Sequence, residues 1–312
     1  MKIARIEHEG VPVTAVVEAS AARLLPGVEV LDLLTVSAAE RDALADRATD
    51  EIAIDGARLL SPILPASIRD FSVFERHVEG ASMLFGGPDA TAPEAWAERP
   101  AFYFSNPSAP SGPGDEIAVP PDCEALDLEL EVVAIVGRPG RNVAVADAGS
   151  YIVGYTIFND WSARDIAGRE LRMPLGFHKA KDFDNTFGPW IVTPDELEPH
   201  RDGDRLDLSL QASINGVPLG EPDTLRSMAW SFEELVAFSA HGASVQAGDV
   251  IGCGTCANGC LMELWGRNQS WTTPPPLQPG DVVTLEVEGI GTLTNTIVRQ
   301  DVPAIGLGPA RT

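Results

Sequence analysis

Residues 126–137 read Leu-Asp-Leu-Glu-Leu-Glu-Val-Val-Ala-Ile-Val-Gly, and the first half alternates apolar and acidic side chains. An alternation of two is the period of a β-strand, so Asp127, Glu129 and Glu131 are predicted to share one face. The same face continues as Val133, which indicates that the strand enters an apolar core near Glu131. Buried carboxylates repel each other and lose hydration, so this arrangement points to a bound cation. An edge strand with a solvated acidic face is the alternative interpretation.

The composition around this stretch favours a β-rich fold. The 312 residues are 44% hydrophobic, which is enough to bury a large core. Glycine and proline are frequent, with 29 and 25 residues, and most apolar stretches are short and alternating. Asn215-Gly216 predicts a hairpin turn, and Ser231-Phe232-Glu233-Glu234 predicts the capped start of a helix. The expected class is α+β, mainly β.

The first part of the chain has a different character. Residues 1–64 mix short strand-like pieces with a polar, alanine-rich helical stretch at 37–46. Pro62 and Pro65 delimit a connector, because proline restricts itself and the preceding residue to extended conformations. We therefore predict a small N-terminal domain, residues 1–64, and a larger domain, residues 65–312.

Charge and hydropathy exclude several classes of partner. The net charge of −24 argues against nucleic acid, because phosphate backbones are bound largely through lysine and arginine. No run approaches the roughly 18 apolar residues that span a bilayer, and the N-terminus lacks the apolar segment of a signal peptide. We expect no membrane partner and a cytoplasmic location.

Three of the four cysteines form a cluster, Cys253, Cys256 and Cys260, with Cys123 remote. This is no disulfide framework for a chain of this size. A structural zinc site usually needs four ligands, and no neighbouring histidine or second cysteine pair completes this set. The cysteines are assigned a packing role and no metal.

A second informative segment, residues 154–165, reads Gly-Tyr-Thr-Ile-Phe-Asn-Asp-Trp-Ser-Ala-Arg-Asp. An apolar strand here runs into acidic, aromatic and arginine side chains, and binding groups are common where strands open into loops. Asp160 could also cap a helix that begins at Trp161, and the two roles are compatible.

Residues 159–166, together with 126–131, closely resemble the core motifs of the fumarylacetoacetate hydrolase family. The resemblance extends to residues 181–190, 248–255 and 261–264 and covers roughly residues 65–300. It implies a catalytic domain of rolled, mixed β-sheets with a small N-terminal domain, usually as a homodimer. The implied activity is hydrolysis of a carbon–carbon bond in a ketonic substance.

The resemblance also implies a divalent-metal site. Its ligands fall on Asp70, Glu129, Glu131 and Asp160. A site made only of carboxylates suits a hard cation, so Mg²⁺ or Ca²⁺ is expected, Mn²⁺ is compatible and zinc is not.

Four further residues acquire catalytic roles through the resemblance. His77, seven residues after Asp70, becomes the base that activates water, with Glu263 orienting it. Lys181 and Arg164 become the positive groups for a tetrahedral oxyanion and a substrate carboxylate. Salt bridges to the acids of the metal site are the alternative role of these two cations.

The substrate is a small oxo-acid by the same resemblance. Thr255 matches a hydroxyl position that contacts substrate, and Ser72 stands where fumarylacetoacetate hydrolases carry a tyrosine. Ala167 replaces a glutamine that contacts substrate. Lost polar contacts change specificity more readily than chemistry, so an acylpyruvate or another 1,3-dicarbonyl acid is expected. A decarboxylase, hydratase or isomerase of a 2-oxo-diacid is one alternative, and a non-catalytic calcium-binding protein is another.

Overall fold

The computed structural model describes residues 1–48, 50–173, 175–303 and 305. Strands and short helices alternate along these residues, and mixed sheets dominate, so the predicted α+β, mainly β class is confirmed. Within the described ranges, every helix is too short or too polar to cross a bilayer.

The strands are β1 (Lys2–His8), β2 (Val11–Glu18), β3 (Ala21–Leu25), β4 (Asp50–Ala53), β5 (Arg58–Leu60), β6 (Ser67–Phe71), β7 (Phe102–Ser105), β8 (Pro110–Ser111), β9 (Glu116–Ala118), β10 (Leu126–Asp127), β11 (Leu130–Val136), β12 (Gly140–Arg141), β13 (Ile152–Asn159), β14 (Ser162–Ala163), β15 (Asn185–Val192), β16 (Arg201–Asp202), β17 (Arg205–Leu206), β18 (Ser209–Ile214), β19 (Val217–Pro218), β20 (Asp223–Thr224), β21 (Ser244–Val245), β22 (Asp249–Gly252), β23 (Val282–Val287) and β24 (Gly291–Val298). The α-helices are α1 (Val30–Thr35), α2 (Ala38–Ala45), α3 (Glu75–Gly86), α4 (Glu94–Glu98), α5 (Val145–Ala148), α6 (Arg164–Glu170), α7 (Pro194–Leu197), α8 (Phe232–Ala240) and α9 (Leu261–Asn268).

The larger sheet has the order β4-β3-β2-β1-β15-β13-β11-β22-β6-β7, with β5 paired to β1 and β8 paired to β15. It is mixed, because β22 runs parallel to β6 and β8 parallel to β15 while the other neighbours are antiparallel. The N-terminal strands β1 to β5 join this sheet through the pairing of β1 with β15. The division at residues 64 and 65 stays a prediction.

A smaller sheet has the order β19-β18-β23-β24-β9, with β20 paired to β18. The predicted hairpin is present, since Asn215 and Gly216 adopt φ of 53° and 76° between β18 and β19. The predicted helix α8 begins after Ser231. The Ser231 hydroxyl accepts from the N–H of Glu234, and the Glu234 carboxylate accepts from the N–H of Ser231 at 2.7 Å, which is the expected capping box.

Strand β11 lies in the centre of the larger sheet and is buried on both faces. Val132 belongs to one apolar cluster with Leu210 and Leu285 of the smaller sheet. Val133, on the other face, belongs to a second cluster with Leu33 of α1. The alternative of a solvated edge strand is therefore wrong, and the acidic residues that open this strand lie inside the protein.

Candidate functional site

Three carboxylates meet near the ends of neighbouring strands in the larger sheet, where β13, β11, β22 and β6 lie side by side. Asp70 lies in β6, Glu131 in β11 and Asp160 directly after β13. One carboxylate oxygen from each lies within 4.8 Å of the other two, and all three side chains are buried. We call this group, Asp70, Glu131 and Asp160, the carboxylate cluster.

The approach of two of these acids depends on a glycine. Gly252 lies in β22, between β11 and β6, and pairs in register with Asp70. A Cβ atom at Gly252 would lie 2.3 Å from Oδ1 of Asp70 and 3.2 Å from Oε2 of Glu131. The missing side chain therefore leaves the space in which Asp70 and Glu131 meet across the strand.

The protein surroundings of the carboxylate cluster do not fully compensate the negative charge that its three acids have when ionised. Burial raises the pKa of Asp70 to about 6 and the pKa of Asp160 to about 8. Burial and the neighbouring Asp70 raise the pKa of Glu131 well above its usual range. Oδ1 of Asp70 and Oδ1 of Asp160 are buried without a hydrogen-bond partner among the described residues. Orphaned oxygens in an all-carboxylate group fit a hard divalent cation.

Glu129 lies beside this cluster and interacts with two cations. Lys181 Nζ donates to the carboxylates of Glu129 and Asp160. Arg164 donates to Oε1 of Glu129 at 2.7 Å and, through Nε, to Oδ2 of Asp127 at 2.8 Å. Burial disfavours the charge on Glu129, but Arg164 and Lys181 outweigh it and hold the pKa of Glu129 below its usual range. The salt bridges expected as the alternative role of both cations are therefore present.

His77 and Glu263 approach each other from two helices. Nδ1 of His77, on α3, lies 3.1 Å from Oε1 of Glu263, on α9. The other oxygen of Glu263 accepts from the N–H of Asn258 at 3.1 Å and from Arg267 at 2.6 Å. Both oxygens of this buried carboxylate therefore have partners, and Arg267 supplies a compensating charge. We call His77 and Glu263 the His–Glu pair.

Two glycines allow α3 and α9 to pack closely enough to form this pair. A Cβ atom at Gly266 would lie 1.9 Å from the carbonyl oxygen of Gly80, a distance that no real contact reaches. A Cβ atom at Gly80 would lie 3.1 Å from Cβ of Glu263. The backbones thus touch at the crossing, and this contact places Glu263 against the ring of His77.

A cavity of about 470 Å³ connects the two groups. Its polar lining includes Asp70, Ser72, His77, Glu129, Glu131, Arg164, Lys181 and Thr255, and Thr255 Oγ1 donates to Glu131 at 3.4 Å. Its apolar lining includes Phe85, Phe102, Phe177 and Met262. Asp160 and Glu263 support residues of this lining through Lys181 and His77. A cavity of this size and mixed lining suits a small polar molecule.

Tyr103, which the sequence did not indicate as a site residue, lies on β7 and also lines this cavity. Its hydroxyl donates to the carboxylate of Asp160, and Nζ of Lys181 lies 5.6 Å from the centre of its ring. The segment Phe102-Tyr103-Phe104 reads as an ordinary aromatic strand, so nothing in the sequence separates this tyrosine from core residues. Arg267 was missed for a similar reason, since a basic residue in the last turn of a helix is common.

Comparison with known proteins gives consistent matches. The family model described as fumarylacetoacetate (FAA) hydrolase C-terminal matches residues 67–298. A fumarylacetoacetase from Arabidopsis thaliana is 28% identical over 301 residues, which is 77% of this chain and 71% of that protein. The chain spans between 59% and 71% of the length of the curated fumarylacetoacetases that it matches.

Solved structures match over nearly the whole chain. A fumarylacetoacetate hydrolase from Exiguobacterium antarcticum superposes with a TM-score of 0.75 at 27% identity, covering 96% of this chain and 100% of that one. A 5-carboxymethyl-2-hydroxymuconate delta-isomerase from Mycobacterium smegmatis superposes with a TM-score of 0.70 at 26% identity, with the same coverage. The matched proteins therefore differ in the reaction their names describe, while their architecture is shared.

Proposed function

Because the chain belongs to the fumarylacetoacetate hydrolase family, we propose that it is a metal-dependent hydrolase of a small 1,3-dicarbonyl oxo-acid. The bond cleaved would be a carbon–carbon bond next to a carbonyl, as in an acylpyruvate. The observation that carries the proposal is the position of His77. Its ring lines the same cavity as Asp70, Glu129 and Glu131, and Glu263 lies 3.1 Å from its Nδ1.

A divalent ion would be held by Asp70, Glu131 and Asp160, with Glu129 as the fourth proposed ligand. The orphaned oxygens of Asp70 and Asp160 support this assignment. All of the proposed ligand atoms are carboxylate oxygens, which hard divalent cations prefer. When bound, Mg²⁺, Ca²⁺ or Mn²⁺ would supply Lewis acidity that polarises the carbonyl oxygens of the substrate.

The His–Glu pair would activate water. A neutral His77 that donates its Nδ1 proton to Glu263 leaves Nε2 as a proton acceptor. Glu263, ionised and paired with Arg267, stabilises the imidazolium that forms when Nε2 takes the proton of a water molecule. The resulting hydroxide attacks the carbonyl carbon. The proton held at Nε2 can then pass to the carbon of the leaving fragment.

Lys181 and Arg164 would orient the substrate and stabilise the negative charge of the tetrahedral oxyanion. Both line the cavity, and the neighbouring carboxylates raise the pKa values of both groups, which keeps them cationic. Burial works against the charge on Lys181, but Asp160 and Glu129 outweigh it and raise the pKa of its ammonium group. Arg164 already donates to Asp127 and Glu129, which fixes the plane of its guanidinium group for pairing with a substrate carboxylate.

The neutral wall of the cavity would select the substrate. Ser72 and Thr255 would offer hydroxyl groups, and Phe85, Phe177 and Met262 would contact an apolar acyl chain. Ser72 is shorter than the tyrosine that the resemblance places there, so it leaves room for a substituent. We propose an acylpyruvate-type acid in preference to fumarylacetoacetate itself.

Turnover in ¹⁸O-labelled water tests the proposal. The full chain would be incubated with Mg²⁺ and a panel of acylpyruvates, fumarylacetoacetate and 2-oxo-diacids, and the products would be identified by mass spectrometry. Hydrolysis consumes one water and places its oxygen in the new carboxylate of one product. His77→Asn should slow this labelling by roughly 10²- to 10⁴-fold. A matched His241→Asn change, at an exposed histidine, should not affect it.

The second candidate is an isomerase or decarboxylase of a 2-oxo-diacid, which the match to the Mycobacterium smegmatis isomerase favours. An isomerase would return a product of unchanged mass, and a decarboxylase would release carbon dioxide without ¹⁸O in a new carboxylate. Either result would overturn the hydrolase proposal and retain the metal site. Absence of turnover across the panel would support the non-catalytic calcium-binding alternative.

A further inference from the structure

Cys260, one of the three cysteines that lie close together in the sequence at residues 253–260, is buried against the His–Glu pair. It directly precedes α9 and is fully buried. Its Sγ lies 3.7 Å from Nδ1 of His77 and 4.0 Å from Oε1 of Glu263. With the 3.1 Å between Nδ1 and Oε1, these distances define a small triangle of sulfur, nitrogen and oxygen. The histidine absent from the neighbouring sequence is thus supplied by a helix far away along the chain.

The size of this triangle matches the coordination sphere of a thiophilic ion. Zinc bonds of about 2.3 Å to sulfur and about 2.0–2.1 Å to nitrogen and oxygen place tetrahedral ligand atoms roughly 3.3–3.6 Å apart. The three separations in the protein, 3.1, 3.7 and 4.0 Å, differ from these by about half an ångström or less. Small side-chain movements would therefore bring all three atoms to bonding distance of one ion.

We propose that Cys260, His77 and Glu263 form a second metal site, which binds Zn²⁺ or Cd²⁺ and inhibits the enzyme. Thiolate and imidazole ligands favour these ions, whereas the carboxylate cluster, with oxygen ligands alone, favours Mg²⁺ or Ca²⁺. One chain would thus sort two classes of ion by ligand chemistry. Three protein ligands leave the fourth position to water.

Inhibition follows from the proton balance at His77. Binding displaces the thiol proton of Cys260, which leaves to solvent. Nδ1 becomes a metal ligand, so the proton of the neutral ring moves, through water, to Nε2. A protonated Nε2 cannot accept a proton from the attacking water. Glu263 also exchanges its hydrogen bond with His77 for a bond to the ion. Metal binding at this site is independent of the proposed function, while the inhibitory effect rests on it.

The hydrogen bonds of Glu263 leave its Oε1 atom in position to bind the proposed ion. Its Oε2 is held by Asn258 and Arg267, and Oε1 faces His77 and Cys260. The ion would enter from the cavity, which His77 and Met262 line. Because Cys260 is fully buried, we expect slow onset, so each measurement would follow a long preincubation.

Cadmium titration of the full chain, with Mg²⁺ present throughout, tests binding without any substrate. We expect an ultraviolet cadmium–thiolate charge-transfer band that saturates at one equivalent. Cys260→Ser should remove the band. Cys256→Ser is the matched control, because Cys256 is also a buried free thiol of the same segment, and it should retain the band. A band that persists in Cys260→Ser, or no band in the unmodified chain, would overturn the site. Cys260→Ala, with folding checked by circular dichroism, repeats the test should the serine variant misfold.

The inhibitory effect is measured as each variant's rate with Zn²⁺ divided by its own rate without it. The unmodified chain and Cys256→Ser should lose about tenfold or more, and Cys260→Ser less than about twofold. A cadmium band without inhibition would overturn the inhibitory role. Failure of the hydrolase proposal would appear separately, as an absence of ¹⁸O-labelled product in zinc-free enzyme, and would leave the cadmium result standing.

Discussion

The carboxylate cluster and the His–Glu pair each contribute to the lining of one cavity, and they differ in how their polar atoms are satisfied. Asp70 and Asp160 each bury an oxygen that has no partner among the described residues. Glu263, equally buried, has partners on both oxygens, including the charge of Arg267. A buried acid with too few partners is stabilised by a proton or by a bound cation, and one with enough partners needs neither. The carboxylate cluster is therefore the proposed cation site, whereas the polar atoms of the His–Glu pair are satisfied as folded.

The largest expected effect is the loss of a carboxylate from the cluster. Glu131→Gln should abolish tight Mg²⁺ binding and lower kcat by roughly 10³-fold or more, because the Lewis acid is lost. The variant should still fold, since it removes a charge that burial disfavours. Calorimetric Mg²⁺ titration and steady-state kinetics measure the two effects. Glu116→Gln, at an exposed glutamate, is the control. A variant that retains full Mg²⁺ affinity would remove Glu131 from the proposed ligands.

The second effect separates the two groups. His77→Asn should lower kcat by roughly 10²- to 10⁴-fold, the usual contribution of a general base. Mg²⁺ affinity should change by less than about twofold, because the pair does not need the ion in order to be satisfied. The same two measurements apply. A large loss of Mg²⁺ affinity here would contradict the division of the site into two independent groups.

A third test separates the helices that carry the pair. Gly266→Ala places a methyl group 1.9 Å from the carbonyl of Gly80 and should force α3 and α9 apart. We expect destabilisation of roughly 2–3 kcal/mol from overpacking, measured by denaturant unfolding. The activity of the folded fraction should fall roughly 10- to 100-fold, because Glu263 moves away from His77. Gly168→Ala is the matched control, since Gly168 also lies in a helix and its added methyl group meets no atom within 4 Å. That change should be neutral or slightly stabilising.

The smallest effect is on thermal stability and depends on pH. Asp70 and Asp160 have pKa values raised to about 6 and about 8, so the folded, ion-free protein binds more protons than the unfolded chain. This contribution to stability is present below about pH 4 and is lost as pH rises through the folded pKa values. An ion replaces those protons, so the increase in Tm caused by Mg²⁺ should be greater at pH 8 than at pH 5.5, by about 2–4 °C. Glu131→Gln should reduce the difference.

The sequence predicted an acidic face in residues 126–137, but it did not predict that Asp127, Glu129 and Glu131 would each contact a different part of the protein. Pairing is interrupted between β10 and β11, and the three acids have different partners. Asp127 accepts from two N–H groups at the start of α9, Glu129 binds Lys181 and Arg164, and Glu131 joins Asp70. Alternation determines which residues point the same way over a few positions. It carries no information on which distant strand or helix supplies the partner.

The contacts between residues on α3 and α9 were even harder to predict from the sequence. His77 and Cys260 are separated by 183 positions, and their contact depends on the crossing of α3 and α9 at two glycines. No local pattern encodes such a crossing, so the sequence assigned Cys260 to packing alone. Tyr103 was missed because its role comes from one hydroxyl contact with Asp160, within a strand of ordinary aromatic composition. The resemblance predicted the roles of single residues, whereas the contacts among these residues are visible only in the three-dimensional structure.

The ammonium group of Lys181 lies between the carboxylates of Glu129 and Asp160. It acts as a provisional counter-ion built into the chain, so part of the repulsion among the acids is relieved before any ion arrives. The sheet can therefore fold before the proposed ion binds. The proposed ion would then bind or exchange without unfolding the strand ends that form its site.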